Sequence, residues 1–183
     1  MLDEKGLGEF LGAAQHSIFR LETLASYAVG SDGGDFARYL RGEPGPDMER
    51  KRTWHKVLQA DRDRGVRNYR VHVVRSPVSP YCRYEMEWGY AYNTPFEDIS
   101  ILDLAEVDRP ADLVDHDFFL VDGRTAVRMH YDDDGRYLGA EVLSAADGPR
   151  YREAREAAWA AAVPFARYWA AHPQYRRGGR EAA

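Results

Sequence analysis

The stretch DHDFFLVDGRTAVRMHYDDDGRYLGAEV, residues 115–142, holds seven acids and two histidines in a run that otherwise alternates apolar and polar side chains. A calcium loop needs oxygen ligands at positions one, three and five, glycine at six and glutamate at twelve. With Gly135 at six, Asp132, Asp134 and Glu141 fall into register, but position one is His130 and both flanks have the period of strands. That pattern favours a hairpin whose Asp and Gly residues supply the turn. His72, His116 and His130 show no ligand spacing of the HExxH kind, so no metal is expected. Cys82 follows a strand bearing His72, and a helix starting there would set a thiol near its positive end beside a base; a small packed cysteine is the alternative. Glu85 and Glu87 point to different faces of a helix, and Asp117 and Asp122 to opposite faces of a strand. The sequence thus signals no clear two-carboxylate pair.

Composition narrows the field. A chain of 183 residues with 44% hydrophobic and 13% aromatic residues can bury one full core. A single cysteine excludes an internal disulfide and any zinc site built mainly on thiolates. The net charge of −5 argues against a dedicated nucleic-acid binder, although Arg62, Arg64, Arg67 and Arg70 make a local basic run diluted by Asp61 and Asp63. Only three of the 25 basic residues are lysines, a bias that points to a GC-rich genome. The N-terminal MLDEKGLGEF lacks the apolar run of a signal peptide, and no segment reaches about 18 apolar residues, so the expectation is a soluble cytoplasmic protein.

The elements that must position these residues follow from periodicity. Leu7, Phe10, Leu11 and Ala14 mark a short N-terminal helix, and SIFRLE alternates Ile18, Arg20 and Glu22 against Phe19 and Leu21 as a strand does. A short helix capped by Ser31 or Asp32 ends at Gly42. Residues 48–64 form a longer one with Trp54, Val57, Leu58 and Ala60 as its apolar stripe. In RNYRVHVV, Tyr69, Val71 and Val73 oppose Asn68, Arg70, His72 and Val74, and a helix with Tyr81, Tyr84, Trp88 and Tyr92 follows. DISILDL and the doubly apolar DFFLVDG read as strands, TAVRMHY and RYLGAEVL as a hairpin. The last helix begins near Asp147 and breaks or restarts at Pro164. The expectation is a single α/β domain over residues 1–172, with a mixed central sheet of about five or six strands flanked by helices, and a flexible tail at 173–183.

Two resemblances accompany these patterns. FRLETLASY, YRVHVVRSPVSPYCRYEMEWGYAYN, EDISILDL, DFFLVDG and VRMHYDDDGRYLGAE are similar, over about residues 10–170, to an actinobacterial domain family with no assigned reaction. Its members are commonly encoded beside helix-turn-helix regulators. The order helix, strand, helix, strand, DFFLVDG and hairpin also resembles one half of the phospholipase D fold. That resemblance implies a nucleophilic histidine where Asp115 stands, a lysine where Asp117 stands and an aspartate matching Asp122. His116 lies one place off, on the opposite face. Two aspartates would repel a phosphodiester, so the resemblance implies an enzyme scaffold without its chemistry.

The expected function is a non-catalytic regulatory or accessory domain without a cofactor. It would bind a small metabolite, a helix-turn-helix regulatory protein or a second copy of itself, and neither nucleic acid nor a membrane. The candidate ligand-binding residues are Arg70, His72, Tyr81, Arg83, Glu85, Asp117, Arg128 and His130, with Trp54, Tyr81, Tyr84, Trp88 and Trp159 as candidate aromatic lining. The alternative is a biosynthetic or modifying enzyme with His72 or His130 as general base and Asp117 or Glu85 as its orienting acid.

Overall fold

The computed structural model describes residues 1–28, 30 and 34–178. Its strands are β1 (Ser17–Glu22), β2 (Arg67–Val74), β3 (Asp98–Asp103), β4 (Phe118–Val121), β5 (Thr125–Tyr131), β6 (Tyr137–Val142) and the two-residue β7 (Val163–Pro164). The helices are α1 (Glu4–Gly12), α2 (Asp35–Leu40), α3 (Met48–Asp63), α4 (Pro80–Tyr84), α5 (Ala91–Asn93), α6 (Gly148–Ala161) and α7 (Phe165–Ala171). A π turn, Glu85–Tyr90, joins α4 to α5, and a 3-10 turn, Pro173–Tyr175, follows α7. The strands form one mixed sheet in the order β6-β5-β4-β1-β2-β3-β7. β1, β2 and β3 are parallel, and every other pair is antiparallel. The mixed α/β class is as expected; the seventh strand is β7, too short to leave a periodicity in the sequence.

The alternation of β1 and β2 divides the sheet's two faces sharply. Phe19, Leu21, Tyr69, Val71 and Val73 join Leu102, Phe118 and Leu120 in an apolar core, which Tyr151, Ala154 and Ala158 of α6 cover. On the other face α1 covers one flank through Leu7, Phe10 and Leu11, packed with Ile18, Val121 and Met129. Met86, Tyr90, Phe165 and Tyr168 cover the other flank over Ile99 and Ile101. Between these flanks the sheet presents a polar stripe. Parallel pairing places Arg20 beside Arg70 and Glu22 beside His72, so four polar side chains occupy the middle of a buried surface.

The structure departs from the sequence pattern in three places. Helix α3 buries Leu58, but Trp54 and Val57 are 45% and 48% exposed rather than packed on the core. The charged hairpin tip is docked: the Ala28 N–H donates to the Gly135 carbonyl, and Gly135 is left-handed (φ 79°) with no room for a Cβ beside the Ser26 carbonyl. The segment expected to be a mobile tail begins against the body, where Tyr175 stacks near His172 and Arg177 reaches Glu87 and the Glu43 carbonyl. The expected caps Ser31 and Asp32, and residues 179–183, lie outside the described residues; Gly34, left-handed at φ 84°, directly precedes α2.

Candidate ligand-binding cleft

Glu22, the last residue of β1, is the hub of the polar stripe. Its carboxylate lies 3.0 Å from Arg20 Nη2 and 3.0 Å from Arg70 Nη1, and it accepts a 3.0 Å hydrogen bond from the Tyr90 hydroxyl. Burial alone would raise its pKa, but the two guanidiniums outweigh burial and hold it at about 2. Arg70 is gripped from its far side by Glu97, which accepts from Nε at 2.7 Å and from Nη2 at 3.0 Å, the paired geometry that fixes a guanidinium in one plane. The Arg20 guanidinium also lies over the Phe119 and Tyr27 rings, and that of Arg70 over Tyr90.

His72 is fully buried one row along. Its Nδ1 is 2.7 Å from the Tyr90 hydroxyl and its Nε2 is 3.3 Å from the Leu24 carbonyl, and burial lowers its pKa. The π turn matters here. Residues five apart on an α-helix project about 140° from one another, whereas the wider i→i+5 turn lets Glu85 and Tyr90 both reach His72, Glu85 Oε2 standing 3.5 Å from Nδ1. Burial, together with the repulsion of Glu22, pushes the Glu85 carboxyl up to about 8.

The expected pairing of Cys82 with His72 is present, with Sγ 3.7 Å from Nε2, at the start of a helix capped by the Ser79 side chain. Its environment works against reactivity: the thiol is buried and burial pushes it up to about 12. Asp117 is also buried, accepting from the Thr23 N–H and hydroxyl and from the Tyr27 hydroxyl at 2.6 Å. Burial raises its pKa.

Over this floor lies a cleft of about 290 Å³, lined by Arg20, Tyr27, Lys51, Trp54, Arg70, Tyr81, Tyr84, Glu85, Gly89, Tyr90 and Asn93. Helix α3 forms its roof, tied to the body where His55 Nε2 meets Asn93 Oδ1 at 3.2 Å, His55 stacks on Phe96 and Leu58 is buried. Of the residues expected to form a site, the structure brings together Arg70, His72, Tyr81, Glu85 and Asp117. Arg83, Arg128 and His130 do not join them. Arg83 turns to the Val78 carbonyl and the Tyr175 ring. Antiparallel pairing sets Arg128 opposite Phe118, on the α6 face, where it is exposed. His130 stands 3.4 Å from Glu141 on the outer hairpin.

Trp54, Tyr81 and Tyr84 line the cleft as expected. Trp88 instead packs among Tyr39 and Tyr84, and Trp159 lies on the opposite face against Tyr69. Arg20, Glu22, Lys51, Tyr90 and Glu97 were not anticipated. For two of them the signal was present, since Arg-x-Glu in β1 matches Arg-x-His in β2, polar pairs at period two inside apolar strands.

Two other constellations resolve into structural roles. Asp103, Glu106 and His172 bring three potential metal ligands within 4.8 Å of one another. His172 already meets the Tyr168 carbonyl and Glu106, each at 2.8 Å, and Asp103 accepts from the Tyr168 hydroxyl at 2.6 Å, which together latch α7 onto β3. Asp122 accepts from the backbone N–H groups of Gln15, His16 and Ser17, turning the chain into β1. In the basic run, Arg62 donates to the Pro95 carbonyl, while Arg64 pairs with Asp61, Arg67 with Asp98 and Arg70 with Glu97. Among the described residues no helix is long and apolar enough to cross a membrane.

The fold and site define a mixed α/β domain with a cationic, aromatic cleft above a buried ion-pair floor. The chain belongs to the family described as domain of unknown function DUF6879, whose model matches residues 5–170. Among curated proteins, none matches the chain.

Proposed function

We propose that this protein is a non-catalytic, small-molecule-binding regulatory domain whose ligand enters the cleft between α3 and the polar stripe. One observation carries the reading: the nucleophile and general base nearest the cleft, Cys82 and His72, are closed into the floor. His72 is fully buried with both ring nitrogens engaged, the Cys82 thiol is held protonated by burial, and Glu22 is clamped between two guanidiniums. A general base must reach the proton it removes, and His72 faces protein on every side. What the cleft does offer is aromatic wall and fixed charge, the composition of a recognition site.

In the phospholipase-D-like reading of the fold, the same placement accounts for lost phosphodiesterase chemistry. At the two positions implied for histidine and lysine, Asp115 is 87% exposed and Asp117 is turned onto Thr23 and Tyr27. An intracellular setting and a helix-turn-helix regulatory partner follow from the family resemblance, with the ligand modulating that partnership.

The test is a metabolite-panel titration followed by amide NMR, with bis(4-nitrophenyl) phosphate hydrolysis measured in parallel. Binding is expected to move the resonances of Lys51, Trp54, Tyr81 and Glu85 without turnover. Hydrolysis that disappears in a folded His72→Asn variant would overturn the reading in favour of an enzyme.

A further inference from the structure

The charge balance of the cleft points to its occupant, an inference that rests on the binding reading above. The lining carries three cations, Arg20, Lys51 and Arg70, against one carboxyl, Glu85, in a chain whose formal net charge is −5. Arg20 is matched by Glu22, and Arg70 by Glu22 and Glu97. Lys51 is different: among the described residues no carboxylate lies within 4.0 Å of its ammonium, and burial lowers its pKa against the more distant pull of Asp35 and Glu85. A partly desolvated charge without a counter-ion is one that an incoming anion can satisfy. Tyr27, Trp54, Tyr81, Tyr84 and Tyr90 surround these groups with flat apolar surface.

We propose that the cleft binds a small planar aromatic carboxylate, its anionic group held by Lys51 and its ring against Trp54 and the tyrosines. One unmatched ammonium calls for one negative charge. A phosphate dianion would bring a second charge towards Glu22 and Glu85 with no cation left to meet it. The protonated Glu85 carboxyl, present below about pH 8, can donate to the same carboxylate. A volume of about 290 Å³ suits one or two fused rings rather than a dinucleotide.

Indole-3-carboxylate and its neutral isostere indole-3-carboxamide separate charge from shape. In isothermal titration calorimetry the carboxylate is expected to bind at least about tenfold more tightly than the amide, the scale of a charge-assisted hydrogen bond. Lys51→Met should abolish that preference and Lys51→Arg should retain it, with melting temperatures confirming that both variants fold. Equal affinity for the two compounds, or a preference untouched by Lys51→Met, overturns the anion assignment and leaves the binding reading standing. So does tighter binding of ADP than of either indole. If none of the three binds, the ligand class is wrong, and the binding reading then answers to the metabolite panel.

Discussion

Glu22 is where a single atom group decides most. It neutralises two buried guanidiniums at once, and removing one partner of a buried pair leaves a charge with neither water nor counter-ion. Glu22→Gln is therefore expected to lower unfolding free energy by about 3–5 kcal/mol, read from the shift of a urea transition. Glu85 gives a prediction of opposite character. Its folded pKa of about 8 lies above the ordinary 4.5, so between those values the folded chain holds a proton that the unfolded chain has lost. Stability from this group therefore falls as pH rises from about 4.5 to about 8 and is level beyond. Glu22, held at about 2, acts the other way: its contribution is complete above 4.5 and is lost as pH falls towards 2. Glu85→Gln removes only the first slope, so it should gain on the wild type by a few kcal/mol between pH 4.5 and 8. A constant difference across that range would show that Glu85 is ionised in the fold. At this scale the sequence was partly readable. Arg70, His72 and Glu85 stood out as polar residues in apolar elements, whereas Lys51 is one of many charges on α3, and only tertiary packing isolates it.

At the scale of elements, β1 and β2 were legible because their period of two separates Phe19 and Leu21, or Val71 and Val73, from the polar stripe. The hairpin was legible from its turn residues. The orientation of α3 was not. Its apolar positions predict a buried stripe, yet only Leu58 reaches the core, because the strands beneath α3 offer charge where its other apolar residues would need an apolar partner. Leu58→Ala should cost about 2–5 kcal/mol and Trp54→Ala less than about 1 kcal/mol, measured by chemical denaturation. Similar costs at both positions would mean that α3 seats on the sheet through Trp54 in solution. Arg128 and His130 were misplaced for a related reason: alternation tells which residues share a face, but only the pairing Phe118 with Arg128 tells which face it is. Register also has a consequence for β1. A slip of one residue against β2 would turn Arg20 and Glu22 into the apolar layer under α6, so the polar stripe disfavours every odd misalignment of the two central strands.

Taken whole, the molecule closes its sheet with its own ends. Leu2 bridges to Ala140 on the outer side of β6, and Val163 and Pro164 pair with Ile101 and Ser100 on the outer side of β3. Both border strands thus have part of their backbone hydrogen-bonding edge occupied by chain that lies far away in sequence, and a proline at one border cannot donate further. A chain shortened past Leu2, or stopped before Val163, exposes amide and carbonyl groups in a row ready to accept a strand from a neighbour. Both trimmed forms should self-associate with rising concentration in sedimentation velocity; the form lacking Leu2 should retain the far-ultraviolet spectrum of the parent, whereas the form stopped before Val163 also loses α7 and its buried Phe165 and Tyr168. Protection of the sheet's borders then falls to Leu2 and to Val163 and Pro164, and an expression boundary chosen for the cleft alone would forfeit it.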